Sequence, residues 1–141
     1  LTLASENEGV GLFNQELSAF LSLGGKIFYE SPVTNLLFEG DKVRGICLGD
    51  NKIEADAVIL ACGGFEANDD LRKSFIGDDW LNAKVRGTPH NTGDGLKMAL
   101  EIGATKHGLY DGCHATPMDL HMKNYGGLDL EPKERKNYRK I

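Results

Sequence analysis

Two stretches of this chain carry the residues best suited to chemistry. One is an aspartate between glycines, Asn91-Thr92-Gly93-Asp94-Gly95. The other is an apolar run ending in a glycine pair, Ala57-Val58-Ile59-Leu60-Ala61-Cys62-Gly63-Gly64-Phe65. The chemistry they suit is recognition of a ligand rather than bond-making. An aspartate at a helix start can accept a hydrogen bond from a ligand hydroxyl, or it can cap its own helix. Thr92 is also a capping type, which leaves Asp94 freer for a ligand. The amides of a helix N-terminus attract anions such as phosphate. Where the apolar run reaches Ala61, Gly63 and Gly64, small residues permit close passage of a ligand, or they serve only a tight turn from strand to helix. Ligands of open α/β sheets lie beyond the carboxyl ends of the strands, which favours the first alternative. Ala61, Gly63, Gly64, Thr92, Gly93 and Asp94 together make one wall of a nucleotide cofactor site.

The opposite wall has no counterpart in the sequence. A dinucleotide fingerprint places G-x-G-x-x-G after a strand, with an acidic residue further on. Gly9-Val10-Gly11 is the nearest match, but Asn14 stands where the third glycine belongs and no apolar strand precedes it. Those glycines read as a loop entering a helix. The chain starts at Leu1 without methionine and ends at Tyr138-Arg139-Lys140-Ile141 without a turn or cap, which predicts a piece excised from a longer protein.

Other polar residues offer less. His114, before Ala115-Thr116-Pro117, could donate a proton to a carboxylate near neutral pH, although a lone histidine is more often structural. Arg86 could pair with a carboxylate or a phosphate, or make a surface salt bridge. His90, His107 and His121 lack ligand spacing, and Cys47, Cys62 and Cys113 form no C-x-x-C pair, so no metal site is expected.

The elements that must position these residues follow from periodicity. Val10, Phe13, Leu17, Phe20 and Leu21 predict a helix over 10–23, stopped by Gly24-Gly25. Lys26 to Glu30 reads as a short strand. Val33 to Glu39 and Lys42 to Leu48 form a hairpin across Gly40-Asp41, and Gly49-Asp50-Asn51 turns into Lys52 to Ala55. The unbroken apolar run from Val58 to Ala61 predicts a parallel strand buried on both faces. Asn68 or Asp69 would cap a short helix to Phe75, and residues 94–102 form a last helix with Leu96, Ala99, Leu100 and Ile102 on its apolar face. The fold class is therefore α/β, a parallel sheet interrupted by a small antiparallel excursion.

Composition sets outer bounds. At 141 residues, 40% hydrophobic and 26% charged, the chain suits one ordinary globular domain. Its longest apolar run is too short to span a bilayer. The net charge of −5 divides into +3 over residues 131–141 and −8 elsewhere, and an acidic body argues against nucleic acid as a partner. The basic tail could be an anion-binding arm, but without apolar periodicity it reads rather as a solvated linker. An odd number of unpaired cysteines suits a reducing, cytoplasmic setting.

Four stretches taken in order carry a resemblance: Ser31-Pro32-Val33-Thr34-Asn35-Leu36-Leu37, the run Ala55 to Phe65, Asn91 to Gly95, and Gly112-Cys113-His114-Ala115-Thr116-Pro117. This series is similar to that of the fumarate reductase and succinate dehydrogenase flavoprotein superfamily. The stretch Ala83 to Leu96 is most similar to its FAD-dependent tricarballylate dehydrogenase branch. The resemblance implies a Rossmann-like FAD domain lacking, in this chain, the first strand and the glycine fingerprint. Residues 1–112 would be the middle of that domain, and residues 113–141 the partly extended start of a capping domain.

It further implies FAD contacts from the backbone of Val33 and from Ala61, Gly63, Gly64, Thr92, Gly93 and Asp94. His114 and Thr116 would bind a substrate carboxylate. Cys113 departs from the commoner pattern. The implied reaction moves a hydride between the flavin and a carbon–carbon bond of a di- or tricarboxylate. The catalytic arginine would lie outside these residues, so no catalytic residue is assigned and the chain alone is expected to be colourless and inactive. The electron-transfer partner stays open. Two alternatives remain: a 3-ketosteroid 1,2-dehydrogenase-like flavoenzyme, and a non-catalytic flavin-fold scaffold.

Overall fold

The computed structural model describes residues 7–125 and falls into two compact units, Leu1–Pro32 and Val33–Ile141. Residues 126–141, most of the expected capping segment and all of the basic tail, lie outside the described residues.

The first unit contains helix α1, Glu8–Ser22. It starts earlier than the periodicity suggested, so Gly9 and Gly11 lie in its first turn rather than in a loop. Its end follows from Gly24-Gly25. Gly24 adopts φ +84° and donates its N–H to Leu21 O, while Gly25 donates to Phe20 O. This paired closure of the last turn needs a residue that accepts the left-handed region. The apolar stripe is real but uncovered, with Val10, Phe13, Phe20 and Leu21 all exposed. No strand forms over Lys26 to Glu30 among the described residues; a short extended segment without a ladder partner has nothing to satisfy its amides.

The second unit opens with a three-stranded antiparallel sheet in the order β1 (Asn35–Glu39), β2 (Lys42–Leu48), β3 (Asn51–Glu54). Both turns are Gly-Asp pairs whose glycine has positive φ, +65° at Gly40 and +61° at Gly49. Glycine at the first central position suits the two-residue turns that match strand twist. A bulge between Leu37 and Phe38 shifts the β1–β2 register opposite Gly45. A side chain on Gly45 would strike the backbone of Ile53 and Glu54, so glycine is required there.

Helix α2, Asp69–Phe75, begins where expected: Asn68 caps it, its side chain accepting from Leu71 N at 3.0 Å. A 3₁₀ turn follows over Asp78–Asn82, and helix α3 covers Asp94–Glu101 and packs against β1. Among the described residues the buried apolar side chains are Leu37, Val85 and Met98, one each from β1, the loop before α3, and α3 itself.

The parallel sheet expected around Val58 to Ala61 is not present among the described residues, where the only sheet is the antiparallel one. The run is extended without a ladder partner, and Ile59 is 89% exposed. One face is nevertheless partly covered, Leu60 remaining 44% exposed. Leu60 and Cys62 lie under Gly95 of α3, close enough that a side chain on Gly95 would meet the Cys62 sulfur. Alternation puts Ile59 on the other face, which nothing in the unit covers. A doubly buried strand needs layers on both sides. Here one is supplied in part.

Candidate functional site

The two glycine-bearing motifs, separated in sequence by α2 and the following loop, are stitched together in space. Gly93 N–H donates to Gly64 O at 3.0 Å, and Ala67 N–H donates to Asn91 O at 3.0 Å. Asn68, besides capping α2, donates its amide to Thr92 O at 3.0 Å. Asn91 in turn donates to Glu66 Oε1 at 2.5 Å. Each bond ties one segment to the other, so the geometry of residues 63–68 and 91–94 is fixed as a unit.

Glycine is what lets the segments approach. Gly93 has φ +78° and is buried, and a Cβ there would stand 2.9 Å from that of Phe65 and closer still to Leu71. Gly63 has φ +77°, and the place of its side chain is taken by Asn91. The joint itself therefore accounts for Gly63. Gly64 is exposed and contributes its carbonyl to the joint. Ala61 is also exposed, one residue before Cys62.

Asp94 is exposed at the first turn of α3 and does not cap it: the N-cap is Gly93, with no side-chain bond. Thr92 does not cap the helix either. Its hydroxyl donates to Asp94 Oδ2 at 2.7 Å, while Lys97 Nζ lies 3.6 Å from Oδ1. Thr92 thus orients the carboxylate, and an oriented, solvent-facing acceptor remains available to a hydroxyl. The amides at the start of α3 lie beside it, since Lys97 is the first to reach back to Gly93 O, at 3.0 Å. A carboxylate that can accept from sugar or ribityl hydroxyls, beside main-chain N–H groups that can donate to phosphate or carbonyl oxygens, is compatible with FAD. Val33 sits apart from the joint, before β1. It is half-buried, and its backbone makes no hydrogen bond among the described residues, the ladder beginning with Thr34 N–H to Cys47 O at 2.9 Å.

His114 and Thr116 belong to a different feature. They line a cleft of about 690 Å³ together with Gly64, Glu66, Arg72 and Arg86. Asp94 does not line it. The cofactor-type and substrate-type residues thus occupy two neighbouring places, with Gly64 and Glu66 shared between joint and cleft. The cleft wall at 83–87 is pinned from both sides. Arg72, 7% exposed, donates to Trp80 O at 2.8 Å and Ala83 O at 3.1 Å and pairs with Asp69 at 2.5 Å. From the other side Lys84 donates to the carbonyls of Leu120 and Met122, and Val85 N–H donates to Asn124 Oδ1 at 2.7 Å. An aromatic column backs the same region: Phe65 to Phe75 at 5.3 Å, then Phe75 to Tyr110 at 5.2 Å.

The sequence alone assigns no role to Asn91, Glu66 or Arg72. Asn91 could have been found from its place in the motif before Gly93. A buried arginine on α2 leaves no sequence signal, because its partners are carbonyls. Among the described residues no cluster of His, Cys, Asp and Glu could hold a metal, and no helix is long and apolar enough to cross a membrane. All three cysteines are free.

The comparisons with known proteins point the same way. The model of the FAD binding domain family matches residues 5–121. The chain is also similar to the 4-oxocyclohexanecarboxylate 2-dehydrogenase of Sinomonas cyclohexanicum, with 31% identity over 121 residues, 80% of this chain and 21% of that protein. The chain therefore spans about a fifth of that relative's length. No solved structure matches. With most of its length matched, joint and cleft included, this chain belongs to the FAD binding domain family.

Proposed function

We propose that this chain is the middle part of the FAD domain of a longer flavin oxidoreductase, one that dehydrogenates or reduces a carbon–carbon bond in a small carboxylate. The observation that carries this reading is Asp94, held by Thr92 and not used to cap its helix. Within the fold its carboxylate meets only the Thr92 hydroxyl and the exposed Lys97, which leaves lone pairs free to accept from a ligand hydroxyl.

In this reading Asp94 accepts from a cofactor hydroxyl, Thr92 fixes its orientation, and the start of α3 meets a polar oxygen of the same molecule. The backbone at Val33 and Gly64 supplies further contacts, and Ala61, Gly63 and Gly93 keep the approach narrow. FAD, when bound, accepts or returns a hydride, so the reaction removes or adds two electrons and two protons across a carbon–carbon bond. His114 and Thr116 hold a substrate carboxylate by donating hydrogen bonds to it, which orients the neighbouring carbons. A proton-transfer residue is sought outside these residues, with the capping domain taken to begin near residue 113.

The carboxylate class is supported by Arg86 and His114 lining one cleft, which a neutral steroid would not need. Tricarballylate, suggested by the stretch Ala83 to Leu96, is one member of the class. The relative from Sinomonas cyclohexanicum is named for a cyclic monocarboxylate, another member. Free cysteines accord with a cytoplasmic location.

The test is flavin content and turnover. The whole protein, purified and desalted, is expected to retain FAD and to reduce an artificial electron acceptor when given a carboxylate with an oxidisable carbon–carbon bond. A protein that retains no flavin after incubation with excess FAD would contradict the proposal. The 141-residue chain alone is expected to be colourless.

A further inference from the structure

Three basic side chains line the cleft, and they differ in what they are free to do. Arg72 is held by the carbonyls of Trp80 and Ala83 and by Asp69. Lys84 is held by the carbonyls of Leu120 and Met122. Both are committed to the protein's own structure through these bonds; the one donor of Arg72 left without a partner among the described residues, Nε, is buried and out of reach of a ligand. Arg86 is exposed and has neither a hydrogen-bond nor a salt-bridge partner among the described residues. It is the free cation of the cleft among these residues.

The remaining lining decides how many negative charges the cleft can take. Glu66 and Asp119 bring carboxylates of their own, and Phe65, Ile76, Trp80, Val85 and Met118 bring apolar surface. A ligand carboxylate placed there without a cationic partner loses its hydration and meets like charge. One ligand carboxylate can be matched by Arg86, with His114 as a second donor. Two more could not be matched by the described residues. The cleft volume of about 690 Å³ suits a small organic ligand.

We propose that Arg86 anchors a single carboxylate, and that the cleft selects a monocarboxylate with an apolar body over a di- or tricarboxylate. The proposal rests on the reading of the cleft as a carboxylate site and sharpens it. Arg86 then acts as the specificity-determining residue, since its guanidinium can offer a carboxylate two parallel hydrogen bonds.

The experiment is calorimetric binding to the whole protein of 4-oxocyclohexanecarboxylate, its uncharged carboxamide, and propane-1,2,3-tricarboxylate. It is repeated with Arg86→Met and Arg86→Lys, and flavin content and melting temperature are recorded for each. The acid is expected to bind more tightly than both the amide and the tricarboxylate. Arg86→Met should weaken the acid by about 10- to 150-fold, the loss of a charged hydrogen bond, while leaving the amide within about twofold. Arg86→Lys should restore part of the loss.

Unchanged acid binding in Arg86→Met, tighter binding of the tricarboxylate than of the acid, or no binding of acid or amide would each overturn the proposal. Because Arg86 is exposed, both variants should melt as the parent does. The two readings fail separately. Arg86-dependent acid binding by a protein without flavin would sink the oxidoreductase and keep the anchor. Flavin-dependent turnover of the acid that Arg86→Met leaves intact would do the reverse.

Discussion

The Gly63–Gly64 loop and the apolar stretch leading into it are neighbours in sequence, yet they are held in opposite ways. The loop is bonded to residues 91–93 through main-chain and side-chain contacts that leave no room for a side chain on Gly93. The stretch Val58 to Leu60 has α3 on one face and nothing over Ile59 on the other. The loop's geometry is specified by its own residues. The strand's geometry depends on a layer that this unit does not supply. The candidate site is therefore held together locally even where the apolar run leading into it has no covering layer over Ile59 among the described residues.

This contrast is broken most forcefully at Gly93. Gly93→Ala forces a Cβ into Phe65 and Leu71 at a left-handed φ. Strain of about 1–2 kcal/mol and overpacking of about 1–3 kcal/mol should both be felt. Urea unfolding of the apoprotein is expected to lose the sum, about 2–5 kcal/mol. A loss below about 0.5 kcal/mol would mean that the two segments are not in contact.

A smaller effect is expected at Asn68, which caps α2 and also reaches Thr92 O. Asn68→Ala should cost about 1–2 kcal/mol, because the cap and the bond across the joint are lost together. Asn68→Asp keeps the acceptor but not the donor, so it should restore the cap alone and recover only part of that loss. Full recovery would show that the bond to Thr92 adds nothing.

Least should happen at Ile59. In the 141-residue chain, Ile59→Thr should change stability by no more than about 0.5 kcal/mol, as for any exposed position. The same substitution in the whole protein separates the two accounts of the strand. A cost above about 1 kcal/mol there would mean that a further layer covers Ile59, as a parallel sheet requires.

The sequence disclosed these regions unequally, and for physical reasons. The hairpins were legible because Gly-Asp turns and alternation are local signals, and the α2 cap because Asn68 stands directly before its helix. The burial of Val58 to Ala61 was not, since an apolar run states a preference for cover without saying what provides it. At the site, the pairing of Gly63-Gly64 with Asn91 to Asp94 followed from their shared suitability for a ligand. The bonds that join them did not, because Asn91 and Glu66 are polar residues of no distinctive spacing. Thr92 was expected as a capping type and instead holds Asp94. Arg72 was invisible, its partners being carbonyls.

If Asp94 serves the cofactor and not its helix, as proposed, FAD titration of Asp94→Ala apoprotein reveals it most directly. The whole protein carrying this substitution should bind FAD about 1–3 kcal/mol more weakly, the cost of leaving a ligand hydroxyl unpaired. Its apoprotein should lose no more than about 0.5 kcal/mol, because no cap is lost and the contacts to Thr92 and Lys97 are exposed. Unchanged FAD affinity with a lowered apoprotein melting temperature would assign Asp94 to the helix and contradict the account.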